Sequence, residues 1–221
     1  MKIDYEKYHH LSFDLWLTLI KSHPEFKQKR NLLFKDFFEV EQGIEKVNEV
    51  VRHYDVLCNN INENTGLNLD TYEIYYLILG GLGVDLSKYG IDKLSEFYNH
   101  TEELFLNYKP VLLYPDVQKM FVDVTNKGKS INVLSNTGFI KGKTLRKLMD
   151  YYGLADHLKF QIYSDEVGFS KPNKEIYQLV FDEISKYKKI EKEDVLHIGD
   201  NAIADHNGAL KFGFNAYLLK I

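Results

Sequence analysis

Cysteine and tryptophan each occur once in this chain of 221 residues, as Cys58 and Trp16. A lone cysteine excludes an internal disulfide and fits a reducing, cytoplasmic setting. Cys58 falls in an apolar helical stripe, so a core position is expected for it. His9 and His10 adjoin an apolar run, but no cysteine or second spaced histidine accompanies them to make a zinc ligand set. Long apolar runs are missing too. The first, Leu11 to Ile20, carries Asp14 and is too short to span a membrane. No cleavage signature follows a basic start, so no secretory signal is expected. Positive charge does not collect anywhere: 28 Lys and Arg against 32 Asp and Glu give a net charge of -4, mixed along the chain. With no basic stripe, nucleic acid is not an expected partner. A phosphorylated small molecule stays open, because local fields matter more there than net charge.

Apolar and aromatic residues are plentiful, with 44% of the chain hydrophobic, 14 Phe and 16 Tyr. That supports one core of ordinary size and a second small one. The pattern divides the chain accordingly. A short strand is expected at His10–Phe13. From Pro24, suited to a first helical turn, to about Tyr108 the pattern is helical. Phe26, Leu33, Phe34, Phe37 and Phe38 recur at three- and four-residue spacing. Val47, Val50, Val51, Tyr54, Leu57, Cys58 and Ile61 make a cleaner stripe. Gly80-Gly81-Leu82-Gly83 reads as a helix connection and not a dinucleotide fingerprint, since no strand precedes it. No strand is expected in this block. After Pro110, helices alternate with short apolar strands at Ile131–Leu134, Gln161–Tyr163, Val195–Ile198 and Asn215–Leu219. That alternation implies an α/β fold with a mostly parallel sheet and right-handed crossovers. The expected division is an α/β core from residues 1–20 and 109–221, and an all-helical insertion over 21–108.

Ligands of such sheets sit beyond the carboxyl ends of the strands. Asp14, Ser135 and Asp200 each follow an expected strand. A carboxylate such as Asp14 can attack an electrophilic centre to form an ester that water then hydrolyses. Ser135 and Asn136, in Ser-Asn-Thr-Gly, offer hydroxyl and amide donors. Lys171, whose backbone Pro172 restricts, offers an ammonium. Asp14 and Asp200 supply hard oxygen ligands suited to Mg²⁺. Asp205, five residues on, is placed to ligate or to orient Asp200. His197 reads as a core histidine, and His206 as helix-surface filling.

This set resembles the four motifs of the haloacid dehalogenase-like hydrolases: Asp14-Leu15-Trp16-Leu17-Thr18, Ser135-Asn136-Thr137, Lys171-Pro172, and Gly199-Asp200 through Asp205. The resemblance implies a Rossmann-like core with an inserted helical cap that closes over the site. It implies Asp14 as nucleophile, Lys171 as its charge partner, and Thr18, Ser135 and Asn136 around the substrate. It also implies Mg²⁺ on Asp14, the Trp16 main-chain carbonyl and Asp200.

One feature departs from the family's phosphatase pattern. Trp16 stands where a second aspartate would serve as general acid and base, and an indole N–H does neither. The expectation is a Mg²⁺-dependent phosphoester or acyl-phosphate hydrolase with impaired proton transfer. Two alternatives remain. A metal-free 2-haloacid dehalogenase would need a cap arginine, Arg30 or Arg52, facing Asp14. A weakly active or inactive protein would bind a phosphorylated ligand without useful turnover. The sequence does not set the oligomeric state.

Overall fold

In the computed structural model, which describes residues 3–220, the central layer is a sheet of five parallel strands in the order β5-β4-β1-β6-β7. The strands are β1 (His10–Phe13), β4 (Ser130–Ser135), β5 (Phe160–Tyr163), β6 (Val195–Gly199) and β7 (Asn215–Leu218). β1 lies at the centre, with Phe13 opposite Val133 of β4 and Ile198 of β6. All residues of β1, β4 and β6 are buried, as a parallel sheet covered on both faces requires. Leu11, Phe13, Ile131, Val133, Leu196 and Ile198 form one core with Val117, Phe121 and Val124 of α5 (Val117–Asn126) and Leu145, Leu148 and Met149 of α6 (Gly142–Tyr151). Leu134 and Val195, of opposite parity, pack with Ile176, Tyr177 and Val180 of α8 (Lys174–Ser185) and Ala209 of α9 (Gly208–Phe212). A one-turn helix, α7 (Ser164–Val167), follows β5. The expected strands are present, and the sheet is doubly wound.

Between β1 and α5 the chain forms four helices, α1 (Phe26–Phe37), α2 (Ile44–Thr65), α3 (Thr71–Gly81) and α4 (Ile91–Asn107). They have a core of their own, with Phe34, Val47, Val51, Ile78, Leu94 and Phe97 in one cluster. Cys58 is buried in it, and burial pushes its thiol up to about 11. α3 begins at a full capping box, Asp70 with Glu73, and ends in the Gly80–Gly83 segment. The sequence pattern does not predict the small antiparallel pair at the root of this insertion, β2 (Ile20–Lys21) with β3 (Val111–Leu112). Two-residue strands carry no readable period. The cap also meets the core directly: Leu67 bridges Phe169, Asn68 N–H donates to the Gly168 carbonyl at 3.1 Å, and Thr71 Oγ1 donates to the Gly138 carbonyl at 2.6 Å. No described helix is long and apolar enough to cross a membrane.

Candidate active site

β1 delivers Asp14 into a tight turn at its carboxyl end. Leu15 accepts main-chain hydrogen bonds from both Leu19 and Ile20, and Leu17 has a φ of 57°. That is an uncommon conformation for a leucine. The turn sends Trp16 toward the cap, where it meets Phe105 of α4 edge-on, with ring centroids 6.3 Å apart. Thr18 is fully buried in the same turn; its hydroxyl makes no well-formed hydrogen bond among the described residues but lies close enough to Asp200 to favour that carboxylate's charge.

Lys171 lies beneath Asp14 and is 1% exposed. Its ammonium donates to Asp14 Oδ1 at 2.7 Å, Asp205 Oδ1 at 2.6 Å and the Leu134 carbonyl at 2.9 Å. All three donors of the ammonium are therefore used. Asn136 fixes the lysine's own backbone: Lys171 N–H donates to Asn136 Oδ1 at 2.8 Å, and Asn136 Nδ2 donates to the Lys171 carbonyl at 3.0 Å. Ser135 is fully buried at the end of β4, with Oγ donating to the Asn136 carbonyl at 3.1 Å.

After β6 the chain turns through a single π-helical stretch, Ala202–Asn207. Asn201 caps it, accepting from the amides of Ile203 and Ala204. The turn folds Asp205 back against Gly199. A Cβ at 199 would stand 2.2 Å from Asp205 Cγ, so only glycine fits there. Asp205 Oδ2 accepts from Asn201 N–H at 3.0 Å, and Oδ1 accepts from Lys171 and from His197 Nε2 at 3.1 Å. Both of its oxygens are thus taken by protein donors. His197 is buried and neutral, its pKa lowered by burial although Asp205 opposes the shift. His206 bonds only its neighbour Asn207 among the described residues.

Ligand oxygens of Asp14, Asp200 and Asp205 lie within 4.8 Å of one another. One ammonium faces these three acids, and the imbalance shows in their titration. Burial pushes Asp14 up to about 7; Lys171 opposes the shift while Asp205 and Asp200 add to it. Burial and Asp205 also raise Asp200. Burial works against Asp205 as well, but Lys171 and His197 outweigh it and hold that carboxyl below the usual range. The hard oxygens of Asp14 and Asp200, with Asp205 completing the cluster and too little positive charge among them, fit a small divalent cation.

A cleft of about 590 Å³ opens above these groups, a volume suited to a small molecule. Asp14, Trp16, Asn136, Lys171, Asp200 and Asp205 line its floor, and the cap closes it with Arg30, Arg52, Asp55, Asn59, Asn60 and Glu63. The structure thus brings together Asp14, Lys171, Asn136, Asp200 and Asp205, with Ser135 and Thr18 buried next to them. Both cap arginines reach the cleft. Sequence reasoning did not find Asn201 or Glu63, which are joined across the cleft by a 2.5 Å hydrogen bond from Asn201 Nδ2 to Glu63 Oε1. The signal for Glu63 is the helical spacing of 52, 55, 56, 59, 60 and 63, a second face of α2 turned from the Val47–Cys58 stripe; that for Asn201 is its place directly after Asp200, as a capping residue.

A doubly wound sheet, an inserted helical cap and an aspartate paired with a buried lysine at the central strand end define a class of hydrolase. Residues 8–213 match the family model described as haloacid dehalogenase-like hydrolase, and the chain belongs to that family. It is 25% identical over 202 residues to a glyceraldehyde 3-phosphate phosphatase of Methanothermobacter thermautotrophicus, covering 83% of this chain and 84% of the relative. It is 26% identical over 107 residues to an uncharacterised hydrolase of Schizosaccharomyces pombe, a match spanning 45% of each protein. The magnesium-bound HAD-hydrolase YfnB of Bacillus subtilis superposes with a TM-score of 0.68 at 18% identity, over 97% of this chain and 89% of that one.

Proposed function

We propose that the protein hydrolyses a phosphoric monoester or acyl phosphate of a small molecule through an ester formed on Asp14. The observation that carries this reading is one ammonium shared by Asp14 and Asp205 while Asp200 brings a third carboxylate within 4.8 Å of both. Mg²⁺, held by Asp14, the Trp16 carbonyl and Asp200, would supply the missing positive charge and draw the phosphoryl group in. Asp14 Oδ1 is held by Lys171, which leaves the carboxylate oriented for attack on phosphorus from Oδ2. Asp205 and His197 act by fixing Lys171, and Asn136 by fixing its backbone. Ser135, buried at the end of β4 beside these groups, is the proposed hydroxyl donor to a phosphoryl oxygen.

Proton transfer is the weak step. Trp16 lines the cleft where an acid would protonate the leaving oxygen, and loss of a general acid and base forfeits roughly 10²- to 10⁴-fold. Acyl and aryl phosphates, whose leaving groups depart without a proton, are the expected good substrates. The archaeal relative's name makes glyceraldehyde 3-phosphate a further substrate to assay. The test is a leaving-group series: kcat/KM falls steeply with leaving-group pKa in the wild type, and Trp16→Asp flattens the slope. A shallow and identical slope in both proteins would show that another group supplies the acid.

The presence of Arg30 in the cleft favours a second reading, 2-haloacid dehalogenation. Halide needs no proton on leaving, and water would then attack the Asp14 ester at its own carbonyl carbon. Single turnover in ¹⁸O-water separates the two. Label enters Asp14 if a carbon ester forms, and enters the released phosphate if an acyl phosphate forms.

A further inference from the structure

The cap turns one uncompensated cation toward the cleft. Arg30 is 7% exposed and lines the cleft with Asp14 and Lys171. Its Nε and one terminal nitrogen donate to Asn31 Oδ1 at 3.1 and 3.0 Å. Asn31 is itself held, its Nδ2 donating to Asn48 Oδ1 at 2.8 Å. The guanidinium lies over the core ring of Phe139, 4.1 Å from the centroid. It is therefore gripped on one edge and supported on one face. Among the described residues no carboxylate comes within ion-pair distance of it. The acid that most favours its charge, Asp55, is engaged by Arg52 at 3.1 Å. Lys27 also lines the cleft, but it is exposed and water compensates it.

A guanidinium keeps its proton in a protein, and a buried charge without a partner is costly. Asn31 neutralises nothing; it supplies one neutral acceptor and aims the fork. The edge left over presents parallel N–H donors, the geometry that matches a planar carboxylate. One unpaired positive charge calls for one negative charge. A second phosphate dianion would find no further buried cation, because Arg52 is exposed and paired.

We propose that Arg30 binds a carboxylate carried by the substrate at the end away from the scissile phosphoryl group, so that the substrate class is a small phosphorylated carboxylic acid. This rests on the phosphohydrolase reading above, and the test is arranged so that the two fail separately. The probes are 3-phosphonopropionate and its amide for calorimetric binding with Mg²⁺, and 3-carboxyphenyl phosphate and its carboxamide, aryl esters whose leaving group departs without a proton, for turnover. The wild type, Arg30→Met and Arg30→Lys are compared, and 1,3-propanediol bisphosphate serves as the two-phosphate competitor. Preference for acid over amide is taken within each protein, so general losses cancel.

The wild type should favour the acid roughly 30-fold or more in both assays. Arg30→Met should bring the ratio to within about threefold of unity. Arg30→Lys, which keeps the charge without the fork, should fall between them, and this comparison carries the test if the methionine variant does not fold. An unchanged ratio in the variants, binding of neither phosphonate by the wild type, or preference for the bisphosphate would overturn the assignment. Turnover without acid preference would leave the hydrolase reading standing and remove the carboxylate subsite. Acid-selective binding lost in Arg30→Met, with no turnover of any ester, would do the reverse.

Discussion

At the amino ends of β1 and β4, His10 is hydrogen-bonded to Ser130 Oγ at 2.7 Å and Asn132 Oδ1 at 2.8 Å. Toward the carboxyl ends, His197 is bonded to Ser12 Oγ at 3.0 Å and Asp205 Oδ1 at 3.1 Å. Both rings are buried, and burial favours the neutral imidazole in each; with Nε2 donating to a side-chain oxygen, Nδ1 of the neutral ring accepts from a serine. The difference is the third group. Asn132 is neutral, and that network closes on itself apart from an Asn132 Nδ2 with no partner. Asp205 is charged and recruits Lys171, which recruits Asp14. Buried polarity therefore does not by itself mark a site here. An unbalanced set of charges at the strand ends that face a cleft does.

The largest effect should come from removing the charge proposed to do the chemistry. Asp14→Asn is expected to lower kcat by about 10⁴-fold or more while leaving the fold intact by circular dichroism. Retained turnover would erase the distinction between the two ends. Lys171→Met comes next. It strands Asp14 and Asp205 without their cation and should destabilise the protein by about 3–5 kcal/mol in urea titrations. A neutral result would mean that the pairs contribute nothing net.

The two ends should also titrate with opposite sign. Burial lowers His10 from 6.5 to about 4, with Asn132 opposing the shift. The unfolded chain then binds the extra proton across that window. This part of the stability is complete above pH 6.5 and is lost as pH falls toward 4, about 3 kcal/mol in all. Asp14, raised from 3.8 to about 7, works the other way: stability falls as pH rises from about 4 to 7. Urea titrations at successive pH values should lose the first slope in His10→Gln and the second in Asp14→Asn. Added Mg²⁺ should flatten only the second. The smallest effect concerns Thr18, whose buried hydroxyl sits beside Asp200 without a well-formed hydrogen bond. Thr18→Val keeps the shape, so stability should change by no more than about 1 kcal/mol while kcat/KM falls. A larger loss of stability would show that the hydroxyl is fully satisfied within the fold.

The carboxyl ends were legible in the sequence because each strand is a short apolar run stopped by a polar residue: Phe13 before Asp14, Leu134 before Ser135, Gly199 before Asp200. The helical insertion was legible for the same reason of period, and Cys58 and His197 sit in the core as their apolar neighbours indicated. β2 and β3 were not legible, because two residues define no repeat. Asn136 reads in sequence as a donor to substrate, yet the structure commits its amide to the Lys171 backbone, a contact between residues 35 positions apart. Arg30 was visible as one of two cap arginines. Its support on Phe139 depends on how cap and core meet, and no local pattern carries that.

The most direct test of the account is to trap the covalent state. Acetyl phosphate or 4-nitrophenyl phosphate should be mixed with the Mg²⁺-loaded protein, quenched in acid within the first turnover, and digested for peptide mass analysis. The account predicts a phosphoryl adduct on Asp14, absent from Asp14→Asn. Full turnover with no adduct, or an adduct on another residue, would contradict it.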